Sequence, residues 1–313
     1  MKACAKQNPE AQAANLKDRD ALRQNAARIT PAGIGHAVQT IVDEELAVAH
    51  KRRARAMAVP DADFLMRRTV EDLAERLAAV DRRFAVAAAI HCWTPDAAAA
   101  IAASGKADTV ERVEADAAFL PQGGKVAPLG LVPYPPESLD LAVSLLSLHE
   151  VNDVPGYLTQ MRRSLRPDGL FLAAMAGAGT LAELRDCLLT AEAEIAGGAS
   201  ARILPFVDVR DCGALLQRAG FALPVADVEA VVVRYADAFR LMADLRAMGA
   251  TSTLSGRERR VPPRALFLRA AELYAARYAD ADGRIRATFT TVWMSGWAPH
   301  VSQQKPLAPG SAK

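Results

Sequence analysis

The stretch AVAAAIHCWTPDAAAAIAASGKADTVERVEAD, residues 85–116, decides the fold. A short run of small and β-branched apolar residues leads into a turn, a helix of small residues, and a second run that alternates and ends in an acid. A run that is apolar throughout suits a parallel strand buried on both faces. Strand, crossover helix and second strand then open an α/β sheet whose ligands gather at the carboxyl ends of its strands. The turn itself, Ile90, His91, Cys92, Trp93, Thr94, Pro95 and Asp96, contains no glycine.

Working outward, LDLAVSLLSL (139–148) reads as the strongest buried strand. HEVNDVPG (149–156) then turns into a helix starting near Pro155, with Asn152 or Asp153 as its cap. That helix ends at the turn RPDG (166–169), before the strand LFLAAM (170–175). Upstream, residues 40–57 and 61–80 have helical spacing. The basic cluster Lys51, Arg52, Arg53 and Arg55 reads as a solvated face. Downstream, residues 180–198 form a punctuated helix with a capping box in Thr180 and Glu183 and a stop at Gly197 and Gly198. Further helices fall in 208–220, 235–250 and 262–279, and strands in 228–235 and 284–297, the last suited to an antiparallel place near the sheet edge. The pattern predicts an α/β fold: a doubly wound, mostly parallel sheet with an N-terminal helical lead-in and added C-terminal helices. Residues 1–40 read as a mobile lead-in, 41–300 as one domain with a helical cap, and 301–313 as a disordered tail.

Composition narrows the function classes. In 313 residues, 38 Lys and Arg against 36 Asp and Glu leave a formal charge of +2, so no global field recommends nucleic acid or an anionic membrane. Cys4, Cys92, Cys187 and Cys212 form no CxxC pair, which suits a reducing compartment and argues against structural zinc; no metal site is expected. No apolar run reaches the ~18 residues of a membrane span, and the polar N-terminus is unlike a signal peptide. The expected location is the cytoplasm.

The strand 139–148, the turn LHEVNDVPG, the helix YLTQMRRSL and the turn RPDG before LFLAAM together resemble the second half of a class I S-adenosylmethionine-dependent methyltransferase domain. The likeness continues through residues 179–221, 235–249 and 282–299, a pattern that resembles the complex I assembly factor 5 family of alphaproteobacterial type, over roughly Ile41 to Pro299. A more distant likeness is to the malonyl-carrier-protein O-methyltransferase of biotin synthesis. The resemblance implies a Rossmann-like fold, S-adenosyl-L-methionine as cofactor, and a protein client, a complex I subunit, modified on an arginine by hydroxylation. It leaves two alternatives open: a non-catalytic assembly chaperone, and an S-adenosylmethionine-dependent methyltransferase of a small molecule or acyl-carrier protein.

Site residues follow residue by residue. Members with a working cofactor loop carry an Asp-x-Gly-x-Gly-type turn, where glycine permits positive φ and close approach of backbone to cofactor. Here His91, Trp93 and Asp96 stand in that turn, and Asp116, or Glu114, stands where an acid would hold the ribose. The acidic run expected to read the adenine edge is replaced by Leu129, Gly130, Leu131, Val132 and Pro133. His149, Asn152 and Asp153 are the candidate catalytic group, at the end of the central strand; they match the family's LHWVNDLP except that Glu150 replaces tryptophan. His91 and Cys92 are expected close to His149, in a redox or metal role or as filling of the pocket.

Overall fold

The computed structural model describes residues 40–198 and 200–303. The expected lead-in, apart from Thr40, and the tail beyond Gln303 lie outside the described residues. After an N-terminal pair of helices, α1 (Glu44–Met57) and α2 (Phe64–Ala79), the chain alternates β1 (Phe84–Ile90), α3 (Asp96–Ala103), β2 (Ala107–Glu114), β3 (Lys125–Val126), β4 (Leu139–Leu145), α4 (Val154–Ser164) and β5 (Leu165–Ala176). Then come α5 (Ala182–Ala196), α6 (Val209–Arg218), β6 (Ala222–Tyr235), α7 (Ala238–Ala247), α8 (Arg264–Tyr278) and β7 (Ile285–Trp297). The strands form one sheet in the order β3-β2-β1-β4-β5-β7-β6. β1 to β5 run parallel, and β7 is antiparallel to both β5 and β6.

Small residues explain the close layers. Ala87, Ala88 and Ala89 of β1 are fully buried, and α3 presents Ala97 and Ile101 to the same face as Leu73 and Leu77 of α2. Tyr157, Leu158 and Met161 of α4 and Cys212 and Leu216 of α6 cover the opposite face. α5, α7 and α8 pack with Ile285, Ala287 and Phe289 in a third cluster at the β7 end. α2 is also fastened by charge to the sheet edge: Arg76 bonds Asp227 at 2.6 and 2.9 Å and stacks 4.4 Å over Trp293, while Arg68 pairs with Glu229.

Two expected local signals resolve differently. RPDG is a bulge inside β5 and not a turn before it: Leu139 faces Leu165, yet Leu141 already faces Leu170. Asp168, at φ 67°, sits in that bulge; its N–H donates to Ala298 O at 3.0 Å and its carboxylate pairs with Arg82. Thr180 and Glu183 make no capping box. Thr180 Oγ1 donates to Thr290 O and accepts from Thr290 N, each at 3.0 Å, and Glu183 Oε2 accepts from Thr288 N at 3.2 Å. Their polar capacity pins α5 to β7, while the helix begins after Leu181 in left-handed conformation (φ 53°).

Candidate functional site

The turn after β1 has positive φ at two residues that are not glycine. His91 (φ 53°) and Trp93 (φ 61°) both occupy the left-handed region, where a Cβ costs about 1 kcal/mol or more per residue. Successive side chains leave in different directions. His91 is fully buried under α4: its Nδ1 lies 3.3 Å from the Tyr157 hydroxyl and its Nε2 3.1 Å from Ala127 O. A carbonyl only accepts, so Nε2 carries the proton and Tyr157 donates to Nδ1. Burial holds the imidazole down to about 4. Cys92 points to the other face of the sheet, its Sγ 3.7 Å from Val143 O, and burial pushes its thiol well above the usual range. These successive residues thus enter opposite cores, and neither shares with His149 the cavity at the strand ends.

Trp93 turns toward the strand ends. Its indole Nε1 donates to Leu146 O at 3.2 Å, its ring meets Phe119 edge-on at 5.4 Å, and Lys51 Nζ lies 5.6 Å above it. Its peptide N–H donates to Glu114 Oε2 at 3.0 Å. Glu114, the last residue of β2, is fully buried and takes Arg112 on its other oxygen at 2.9 Å. Burial raises this carboxyl to about 7, with Arg112 opposing the shift. Asp116 is turned away: it caps the short 117–119 turn through Ala118 N at 2.8 Å and pairs with Arg52 at 3.3 Å. Asp96 is the first residue of α3, behind Pro95.

S-adenosylmethionine seated in the usual way needs bare backbone at the glycine positions and a free acid at the end of β2. Here a histidine and a tryptophan side chain occupy the first, and both oxygens of the acid are bonded within the protein. Within residues 129–133, the stretch that stands where an adenine-reading acid is expected, Leu129 and Val132 are core residues. The residues present do not fit the cofactor in that seat.

The turn after β4 is a polar anchor beside a cavity. Asn152 accepts from Ile41 N and Val42 N at 2.8 and 2.9 Å, and donates to Val42 O and Glu44 Oε1, both at 2.9 Å. Asp153 caps α4, accepting from Gly156 N at 2.8 Å. Neither lines the cavity; their bonds are those of an anchor and a helix cap, beside the catalytic role that the sequence offers for both. His149 does line it. Ala176 N–H donates to its Nδ1 at 3.4 Å, which leaves the proton on Nε2; the ring meets Phe206 edge-on at 5.9 Å, and burial lowers it to about 3. Glu150, next along, is 2% exposed, and its Oε2 has no hydrogen-bond partner. Burial pushes its carboxyl up, with Lys51 opposing the shift.

The cavity, about 610 Å³, lies at the strand ends beneath α1, α2, α5, α7 and α8. Its walls are mainly apolar, with Leu65, Leu184, Phe206, Phe267 and Phe289 among them, and Trp93, His149, Glu150 and Lys51 also line it. Of the seven residues marked in the sequence, Trp93 and His149 alone among the described residues reach this space. Lys51 was legible only as part of a basic cluster, because nothing in KRRAR tells which cation turns inward. Glu150 carried one signal, its departure from the family's tryptophan. Among the described residues no cluster of three or more His, Cys, Asp or Glu could hold a metal ion.

Residues 83–173 match the family model of the methyltransferase domain. The chain is 44% identical over 178 residues to the arginine-hydroxylase NDUFAF5, mitochondrial, of Dictyostelium discoideum, covering 56% of this chain and 41% of that protein. The protein of that name from Homo sapiens is 35% identical over 280 residues, 87% of this chain and 81% of its own length. The first four such relatives are matched over 41–56% of their lengths, so the chain spans about half of each. Among solved structures, the YcgJ protein from Bacillus subtilis superposes with a TM-score of 0.51 at 13% identity, over 74% of this chain and 99% of that one, which shows the fold alone. With the sheet order, the turn sequences and the human relative in agreement, the chain belongs to the NDUFAF5 family of methyltransferase-fold proteins.

Proposed function

We propose that this chain receives a segment of a protein client, a subunit of the respiratory NADH:ubiquinone oxidoreductase undergoing assembly, in the cavity at the strand ends, and modifies or holds it there. The observation that carries the reading is the apolar cavity between the strand ends and the added helices, in a chain whose relatives are named arginine hydroxylases. A client side chain entering past α1 and α7 would meet Trp93, His149 and Glu150. His149 offers a neutral Nε2–H donor whose orientation is fixed by the Ala176 peptide.

A second reading, holding without chemistry, is favoured by one specific observation: Trp93 fills the turn that would otherwise seat a nucleoside cofactor. On either reading S-adenosylmethionine is not held by the β1 turn in the usual manner. The proposal places the chain in the cytoplasm; Cys92, Cys187 and Cys212, unpaired among the described residues, suit a reducing compartment. No helix among the described residues is long and apolar enough to cross a membrane.

The test is rescue. Human cells lacking the 35% identical relative are given this chain with a mitochondrial targeting sequence, and assembled complex and client mass are measured. Modification predicts recovery of the assembled complex together with an arginine heavier by one oxygen. Holding predicts assembly without the added oxygen. Recovery of neither contradicts the client reading and favours a small-molecule or carrier-protein substrate.

A further inference from the structure

β6 ends the sheet on the side of β7, and the direction of its peptide groups follows from bonds made by β7. Thr290 O accepts from Gly177 N at 2.8 Å, and Thr290 N–H donates to Thr180 Oγ1 at 3.0 Å. Thr288 O accepts from Leu181 N at 2.7 Å, and Thr288 N–H donates to Glu183 Oε2 at 3.2 Å. Both threonines thus turn their peptide groups away from β6. Their antiparallel partners, Ala230 and Val232, form the non-hydrogen-bonded pairs of that ladder, so their own N–H and C=O groups point out of the free edge. Strand alternation extends this to Ala226, Val228 and Arg234. Among the described residues no hydrogen bond reaches these outward backbone groups.

Long edges are ordinarily guarded by lysine, proline, a bulge or a free charge, because a bare edge pairs with another chain. Here the guards stand at one end, in Pro224 and the bulge between Ala222 and Val225. Beyond them each charge is already matched within the chain: Asp227 by Arg76 at 2.6 Å, Glu229 by Arg68, and Arg234 by Asp280 at 2.8 Å. Between these charges the outward-bonding residues carry open apolar side chains, Val228 at 53% and Val232 at 54% exposed.

We infer that β6 pairs antiparallel with β6 of a second copy of this chain about a two-fold axis at Ala230, joining the two sheets into one. The strand is its own complement. Only residues with outward peptide groups bond across the edge, so even-numbered residues face even-numbered ones. With Ala230 opposite its copy, Val228 faces Val232 and Ala226 faces Arg234, while Asp227 and Glu229 face Val233 and Val231. Moving the axis to 229 sets Glu229 against itself, moving it to 228 sets Asp227 against Glu229, and moving it to 231 sets Val228 against Arg234. Each bonded pair between Ala226 and Arg234 exchanges two hydrogen bonds, about ten in all, as many as a stable interface ordinarily carries. A strand of unrelated sequence meets the same backbone groups without this match of side chains, so a second copy is the occupant. Because β7 is antiparallel to both β5 and β6, β6 runs parallel to β5, and the two cavities come to lie at opposite ends of the joined strands. The pairing is independent of what the cavity binds.

The experiment is sedimentation of the full chain over a range of concentrations, with amide hydrogen exchange read residue by residue. The expected result is a mass of two chains that falls toward one on dilution, with the amides of Val228, Ala230 and Val232 protected in the two-chain form. Val228→Lys combined with Val232→Lys sets lysine opposite lysine, and is expected to leave a single chain whose outward amides exchange about tenfold faster or more. The amides of Glu229, Val231 and Val233, which bond to β7, are expected to stay protected in that variant, which separates loss of pairing from loss of the strand. A single chain at every concentration overturns the proposal. So does a two-chain form that survives the lysines or leaves the outward amides unprotected, since either puts the contact elsewhere. Protection of the outward amides that appears only on adding a client peptide also overturns it, and assigns the edge to strand addition by another protein.

Discussion

The turns after β1 and β4 lie side by side at the same end of the sheet and have been rebuilt in opposite ways. In the β1 turn polar groups are drawn inward and consumed: Glu114 closes on Trp93 and Arg112, and His91 on Tyr157 and Ala127. In the β4 turn Asn152 and Asp153 fasten neighbouring segments, while His149 and Glu150 face the cavity. The β1 turn has become a wall, and the β4 turn has kept an open polar edge. A fold's usual ligand seat is thus separable from its cavity; the one can close while the other stays available.

The largest expected effect concerns the titration of the β1 turn. Glu114 rises from 4.5 unfolded to about 7 folded, so the folded state binds the extra proton and this group's contribution is lost as pH rises from 4.5 through 7. His91 falls from 6.5 to about 4, so its contribution is lost as pH falls from 6.5 through 4. Each is worth about 3 kcal/mol at most, and the two slopes oppose one another between pH 4.5 and 6.5. Glu114→Gln removes one of them. Urea unfolding of that variant is expected to show stability climbing with pH across this window, more steeply than in the parent chain. An unchanged slope would mean Glu114 is not the closed-in acid described.

Next is the β4 anchor. Asn152→Ala deletes the side-chain bonds to Ile41, Val42 and Glu44 and is expected to cost about 2–3 kcal/mol, read as a lowered unfolding midpoint. A residue that served chemistry alone would leave the midpoint in place. Smallest is Asp153→Ala, about 1 kcal/mol for a lost helix cap, with Asp153→Asn restoring most of it. If Asp153→Asn remains as damaging as alanine, charge and not capping is what the position needs.

Much of this was legible in the sequence. The apolar run of β1, the buried β4 and the punctuated α4 gave sheet and crossovers, since period and capping are local properties. RPDG misled because turn chemistry also suits a bulge, and only the pairing of Leu139 with Leu165 distinguishes the two. Thr180 and Glu183 misled because a strand distant in sequence competes for the same hydroxyl and carboxylate. The direction of His91, Cys92 and Trp93 depends on positive φ at two non-glycine residues, which sequence spacing does not encode. Lys51 entered the cavity by tertiary packing of α1, invisible within a run of five basic and small residues.

The central claim, that Trp93 and the engaged Glu114 close the usual cofactor seat, is tested most directly by calorimetric titration of S-adenosylmethionine and S-adenosylhomocysteine into the parent chain and a Trp93→Gly, Pro95→Gly variant. The account predicts no saturable heat for the parent chain and a gain of binding in the variant. Micromolar binding by the parent chain would contradict it and return the β1 turn to the status of a working cofactor site.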